Sequence, residues 1–458
     1  MSFDYIPIDS SDIDKKDGRV VKTRVHLLLK IFALLLLIFL AAFLVSFIIQ
    51  RASIHPDDVI LTKENPVAIK SFQGEVIAPQ VNSIVVKSLT VNSTFRPPIG
   101  GQLSCSRRVM VPSTTSPIDA NQVRPADIQY IAAMGDSYTT GYLSFTSETD
   151  TTIDEMRNAV GNSFVMGGND ELASHVTLAN ILRHLNPSLR GYSTGIGLNE
   201  EVTNLNVAVP GMWVDDLQRQ ARELIRRFRK YPAQSIRDDW KLIHIFAGTR
   251  DVSGFCMGQG GTNKQEYKRN LTEAIEILQS ALPKTIISLL GTENFDFLWN
   301  AVKNTDQSTE TNIGFKMSGP CQIADAEILS QRRIEEYREA NIELVSEMHH
   351  KSRKDHVVIV QHIFDDLWTP LRKADGTFNA EFFAKDVFHF SNYGNSLIAK
   401  QLWNQLVSPD SKKITNNARM EDEKEALSCP ELRCPFIRTP SNSIACVMSE
   451  ENVIDGVF

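Results

Sequence analysis

Beyond Pro125 the chain alternates short, unbroken apolar runs with longer amphipathic stretches. The runs at 128–134, 205–209, 242–247, 285–290 and 357–361 are each bounded by Gly, Pro or polar residues. Apolar runs without polar alternation suit strands buried on both faces of a parallel sheet. Between them, 214–228, 266–282, 325–349 and 392–406 carry the helical period. Strand and helix in alternation predict an α/β domain over 125–410, three α/β/α layers around a parallel sheet of about five strands. Ligands of such sheets bind beyond the carboxyl ends of the strands, so the residues after each run are the candidates for chemistry.

A different pattern governs the N-terminal part. Residues 31–49, IFALLLLIFLAAFLVSFII, form a run of nineteen without a charge. At ~1.5 Å per residue such a helix spans the hydrocarbon core of a bilayer. Lys15, Lys16, Arg19, Lys22, Arg24 and Lys30 precede the run, whereas only Arg51 and Lys63 closely follow it. The positive side is therefore the N-terminal one, and the run reads as a transmembrane signal-anchor. A cleaved signal peptide is the alternative, against which stand the long polar lead and the lack of an A-x-A site. The expected layout is a cytoplasmic tail over 1–30, the anchor, a stalk over 50–124 packing on the domain, the domain itself, and a cysteine-containing tail over 411–458. That is a single-pass type II membrane protein of the cell membrane, its domain extracellular or lumenal.

This topology changes how the cysteines read. Six of them, at 105, 256, 321, 429, 434 and 446, follow no CxxC or metal-ligand spacing and lie on the non-cytosolic side, where disulfides persist. Cys256 with Cys321, and Cys105 with one of Cys429, Cys434 or Cys446, are the candidate pairs. The sequons at Asn92 and Asn270 are candidate glycosylation sites. A net charge of −7 with 22% charged residues offers nothing to nucleic acid, which is excluded as a partner class.

The first run ends in Gly135-Asp136-Ser137-Tyr138, so Ser137 sits where a strand turns toward a helix. A serine there can present its hydroxyl above the sheet and its own N–H to a developing oxyanion, although a helix-capping serine fits such a turn too. A nucleophilic serine needs a base, and the chain has ten histidines. His26, His175, His184, His349 and His350 lie in the tail or on polar or charged stretches. His244 and His362 lie in or just after strand runs and read as core residues. His389 differs because Asp386 precedes it by three residues. One turn at that spacing sets a carboxylate on Nδ1 and leaves Nε2 to take the serine proton. Asp136 and Asp251 have no His or Cys cluster beside them, so no metal and no cofactor are expected.

GDSY near the start of the domain and DVFH before its last helix resemble the first and last blocks of the GDSL, or SGNH, hydrolases. More narrowly, RPADIQYIAAMGDSYTTG, GNSFVMGG, LANILRHLNPSLRGYSTGIG, LNVAVPG and FHFSNYGNSLIAKQLWNQL are similar in kind and order to segments of the membrane-associated phospholipase B family. The resemblance implies a serine esterase with Ser137, Asp386 and His389 as catalytic residues, and phospholipids and lysophospholipids as substrates. It further implies an oxyanion hole from the Ser137 N–H, the Gly211 N–H and an asparagine amide. At the third position this chain departs, since Gly248-Thr249-Arg250-Asp251 puts Arg250 where the family has asparagine. A guanidinium can donate to an oxyanion but is longer and differently shaped, so Arg250 either serves the hole or weakens it, leaving a catalytically weak or inactive binding protein displayed on the membrane, on a hydrolase scaffold, as the alternative. Tyr138, in place of the leucine of GDSL, is expected to pack beside the nucleophile as a tolerant position.

Overall fold

The strands form because β-branched and other apolar side chains fill both sides of the sheet, and the observed burial is close to complete along each one. In order they are β1 (Ile128–Gly135), β2 (Trp240–Phe246), β3 (Thr285–Leu290) and β4 (His356–Gln361). All pair in parallel, in the order β1-β2-β3-β4. The structure is a computed structural model that describes residues 96–145, 157–256, 261–292, 326–351, 353–364, 379–386, 388–413 and 426–446. The apolar run at 31–49, the sequon at Asn92 and Cys321 lie outside the described residues. Among the described residues no helix is long and apolar enough to cross a membrane.

The longer helices are α1 (Leu178–Leu185), α2 (Leu217–Phe228), α3 (Thr249–Cys256), α4 (Lys264–Ala281), α5 (Ala326–Lys351) and α6 (Asn392–Leu406). Helix α4 packs against both α2 and α5, and these contact β1 and β4; α1 packs against α6, which meets β4. The expected α/β/α layering is therefore present. The fifth strand is not complete. Residues 205–209 run parallel to the free edge of β1, through Ala133 N–H to Leu205 O (3.2 Å), Val207 N–H to Ala133 O (2.9 Å) and Val209 N–H to Gly135 O (3.0 Å). Only an isolated bridge at Ala133–Asn206 results, because the Asn206 side chain turns back to accept the Ala208 N–H and Pro210 ends the segment. Among the described residues the sheet has four strands and an extended edge segment.

Two flanking segments close the domain. Residues 113–127 cross the amino ends of the strands: Trp240 Nε1 donates to Pro117 O, Lys284 Nζ to Ser116 Oγ and Ala120 N–H to Lys354 O. The C-terminal stretch 426–446, expected as a tail, is packed. Ser428 O accepts from Trp403 Nε1, Arg438 N–H donates to Leu406 O, and Ile437 N–H donates to Val123 O. As a result every residue of α6 is buried, including Lys400, Gln401 and Gln405. Asn270, a candidate glycosylation site, lies within α4, 7% exposed, its side-chain oxygen accepting from Gln218.

Cys105 is bonded to Cys429, one of the expected pairings, and Cys434 to Cys446. The sequence separations are 324 and 12 residues, so by loop-closure entropy the first bond constrains the unfolded chain more, by about 3 kcal/mol. Urea unfolding of the paired variants is expected to follow that order. Cys105→Ser with Cys429→Ser should lose clearly more stability than Cys434→Ser with Cys446→Ser, and equal losses would contradict the entropic account.

Candidate functional site

The site begins where β1 stops. Gly135 has φ +137°, and a Cβ there would lie 2.0 Å from Phe246 O, so only glycine lets β1 turn this close to β2. Gln220 of α2 clamps this peptide from below: it accepts the Gly135 N–H (2.8 Å) and donates to Gly135 O (3.0 Å). Asp136 and Ser137 follow directly. Ser137 is half-buried, and Ser137 O then accepts from Tyr142 N–H in the first of a set of tight turns.

Asp386 and His389 come from the turn before α6. The backbone N–H groups of Phe388 and His389 donate to Asp386 Oδ1 at 3.1 and 3.0 Å. Its other oxygen receives Nδ1 of His389 at 2.6 Å, and Nε2 of His389 meets Ser137 Oγ at 2.7 Å. With Asp386 accepting at Nδ1, the neutral ring has Nε2 as its acceptor, facing the serine hydroxyl. Burial alone would raise the Asp386 pKa, but the His389 charge, the ring hydrogen bond and the two backbone donors outweigh it and hold the carboxyl below its usual value. The three side chains predicted as a unit are thus in one hydrogen-bonded chain.

Tyr138 is more involved than expected for a tolerant neighbour. Its ring lies 4.9 Å from that of His389, and its hydroxyl donates to Phe388 O at 3.1 Å. Tyr142 flanks the imidazole as well, with ring centroids 4.7 Å apart. The tyrosine hydroxyl ties the segment after Ser137 to the turn that carries His389. A leucine could supply only the packing, so the departure from GDSL was the available signal. Asn395, in the first turn of α6, accepts the Phe164 N–H and donates to Ser144, Phe390 and Ser391, fixing the helix start against the loops around the serine. It was read only as part of a helix-like stretch.

Gly211 lies on the loop after the edge segment, exposed, with φ +69°. Among the described residues neither its N–H nor that of Ser137 donates to a protein acceptor. Arg250, at the start of α3, turns its guanidinium toward this loop. Its centre is 5.0 Å from the Trp213 ring, and Nη1 would lie 3.9 Å from a Cβ on Gly211. The neighbours of Arg250 point inward. Thr249 hydrogen-bonds Asp136, while Asp251 accepts the Val214 N–H (3.0 Å) and the Thr262 hydroxyl, which fastens the Gly211 loop to α3 and the segment leading into α4. Gly211 and Arg250 therefore stand side by side.

His244, in the middle of β2, and His175 are buried, and burial pushes their pKa values down to about 3 and about 4, so both are neutral core groups. His184 and His349 are exposed on helices.

Residues 131–402 match the family described as GDSL-like lipase/acylhydrolase, a span that includes Ser137, Gly211, Arg250, Asp386 and His389. The chain belongs to the GDSL-like lipase/acylhydrolase family. It is 31% identical over 352 residues to the membrane-associated phospholipase B1 of Homo sapiens, covering 75% of this chain and 24% of that protein. To the protein of the same name from Rattus norvegicus it is 30% identical over 366 residues, covering 77% of this chain and 24% of the relative. The Mus musculus protein is similar at 29% over 348 residues, with 75% and 23% covered. The chain spans about a quarter of the length of these relatives. Membership in the GDSL-like family places it, at family level, among the ester hydrolases.

One titration lies directly beside Ser137. Burial raises the pKa of Asp136 to about 6, against the opposing pull of the Thr249 hydroxyl, the Tyr138 N–H and His389. Between its usual value of 3.8 and about 6 the folded state holds a proton that the unfolded state has lost, so this group's contribution to stability falls as pH rises through that window and is level above it. Asp136→Asn should remove this component. Chemical unfolding from pH 4 to 7 should show the variant gaining stability relative to wild type as pH rises; a difference independent of pH would show that Asp136 ionises normally.

Proposed function

We propose that this chain is a membrane-anchored serine esterase that hydrolyses acyl esters of glycerophospholipids and lysophospholipids through an acyl-enzyme on Ser137. The observation that carries the reading is the continuous hydrogen-bonded chain from Ser137 Oγ through His389 to Asp386, at 2.7 and 2.6 Å, above the carboxyl end of β1. In this mechanism Ser137 attacks the ester carbonyl while His389 Nε2 takes its proton. Asp386 stabilises the imidazolium, which returns the proton to the leaving alcohol. The oxyanion faces the N–H groups of Ser137 and Gly211, with the Arg250 guanidinium beside them. Water then attacks the acyl-enzyme with His389 again as base, releasing the fatty acid and restoring Ser137.

The phospholipid substrate is supported by the relatives named phospholipase B1. Anchoring is supported by the charge-free run at 31–49, by the cluster of cations before it and by the description of the same relatives as membrane-associated. A tether of this kind keeps the site close to its lipid. The second reading, a catalytically weak or inactive binding protein displayed on the membrane, rests on Arg250 standing where the family has an asparagine.

The test is release of fatty acid from a defined phosphatidylcholine and its lyso form by the full chain. Wild type should turn over, Ser137→Ala should be inactive, and Asp386→Asn, which leaves the imidazole without its orienting carboxylate, should lose roughly 10⁴-fold in kcat. Turnover retained by Ser137→Ala would defeat the mechanism; no turnover by wild type would favour the binding reading.

A further inference from the structure

General-base action by His389 makes a cation: once Nε2 holds the Ser137 proton, the ring is an imidazolium at a residue only 6% exposed. Asp386 meets one edge of that ring, through Nδ1. Two tyrosine rings pack on it as well. The Tyr138 centroid is 4.9 Å from that of His389 at an interplanar angle of 45°, and the Tyr142 centroid is 4.7 Å away at 49°. Both distances fall inside the ~6 Å over which a cation is drawn to the negative face of an aromatic ring. Both rings are also held in place. Tyr138 is 2% exposed and packs on Phe246, Phe388 and Phe390, with its hydroxyl on Phe388 O. Tyr142 is half-buried; its N–H donates to Ser137 O, and its hydroxyl accepts from Arg157 Nη1 at 3.4 Å. The turns after Ser137 thus bring two π systems to one imidazole, and nothing has to rearrange when the charge arrives.

We propose that Tyr138 and Tyr142 form an aromatic cradle that stabilises the His389 imidazolium, which makes them positioning residues for the proton transfer from Ser137. The inference rests on the serine esterase reading, since that chemistry is what charges the ring. Its force is differential. Against a neutral imidazole the two rings make ordinary aromatic contacts, whereas against an imidazolium the same contacts gain the attraction of a charge for a ring quadrupole. They are therefore stronger in the transition state than in the ground state, which is the condition for lowering the barrier. Of the charged groups around the ring, Asp386 and Asp136 favour the same cation, and Arg157, across the Tyr142 hydroxyl, opposes it. The leucine of GDSL could fill the space at 138 but has no quadrupole to offer.

Fluorophosphonate labelling of the full chain reads this step without a lipid: Ser137 Oγ bonds phosphorus, fluoride leaves, and the serine proton passes to His389. Tyr142→Leu should label about 5-fold or more slowly, the scale of one desolvated cation–π contact, and Tyr142→Phe should restore most of that rate. A further series places at 142 a phenylalanine whose ring carries progressively more fluorines, which keeps the shape and withdraws charge from the ring face. The logarithm of the labelling rate should fall steadily along the series. Tyr138→Leu, checked for folding by thermal unfolding, should slow labelling as Tyr142→Leu does; if it does not fold, the series at 142 decides alone. A rate that is flat across the fluorinated rings, with wild type labelled on Ser137, overturns the cradle and leaves the serine mechanism standing. A wild type that is never labelled defeats the serine reading and the cradle with it.

Discussion

The contact between Ser137 and His389 joins residues 252 positions apart, and most of the domain can be understood as what holds those two loops together. Ser137 is fixed by the end of β1, where Gly135 lies against β2 and Gln220 locks its peptide from α2. His389 is fixed by the turn ahead of α6, where Asp386 accepts two backbone N–H groups as well as the ring. Tyr138 bridges the two through its hydroxyl and ring. A shift of either loop by the length of a hydrogen bond breaks the chain, so the accuracy of the site is inherited from the packing of β1 and α6.

That dependence explains the covering of α6 by residues 426–446. A helix that sets the position of a base gains from being held on all sides, and here the C-terminal stretch hydrogen-bonds its last turn through Trp403, Asn404 and Leu406. The bond between Cys105 and Cys429 fixes the start of that stretch to the segment ahead of β1. Stability supplied far from the chemistry is thereby transmitted to it.

The strands and main helices were legible because both signals are periodic: apolar runs for strands buried on two faces, and a helical stripe for α2, α4, α5 and α6. The grouping of Ser137, His389 and Asp386 was legible because the Asp386–His389 spacing is local and the blocks are ordered along the chain. What escaped was set by contacts between distant residues. The edge segment at 205–209 is apolar enough for a strand, yet the Asn206 side chain and Pro210 limit its pairing. The burial of Lys400, Gln401 and Gln405 was not legible because nothing in α6 announces what covers it. Tyr138 read as tolerant because its partner, the Phe388 carbonyl, is 250 residues away. Arg250 was visible as a departure, but only the fold shows it resting on Trp213 beside Gly211.

The central claim is that Ser137 is an activated nucleophile, and covalent capture tests it most directly. A fluorophosphonate incubated with the full chain should form one adduct, which peptide mass spectrometry places on Ser137. Its rate of formation should collapse in His389→Ala, where the serine is kept but its base is removed. An unmodified Ser137 in wild type, or labelling that proceeds equally without His389, would contradict the account.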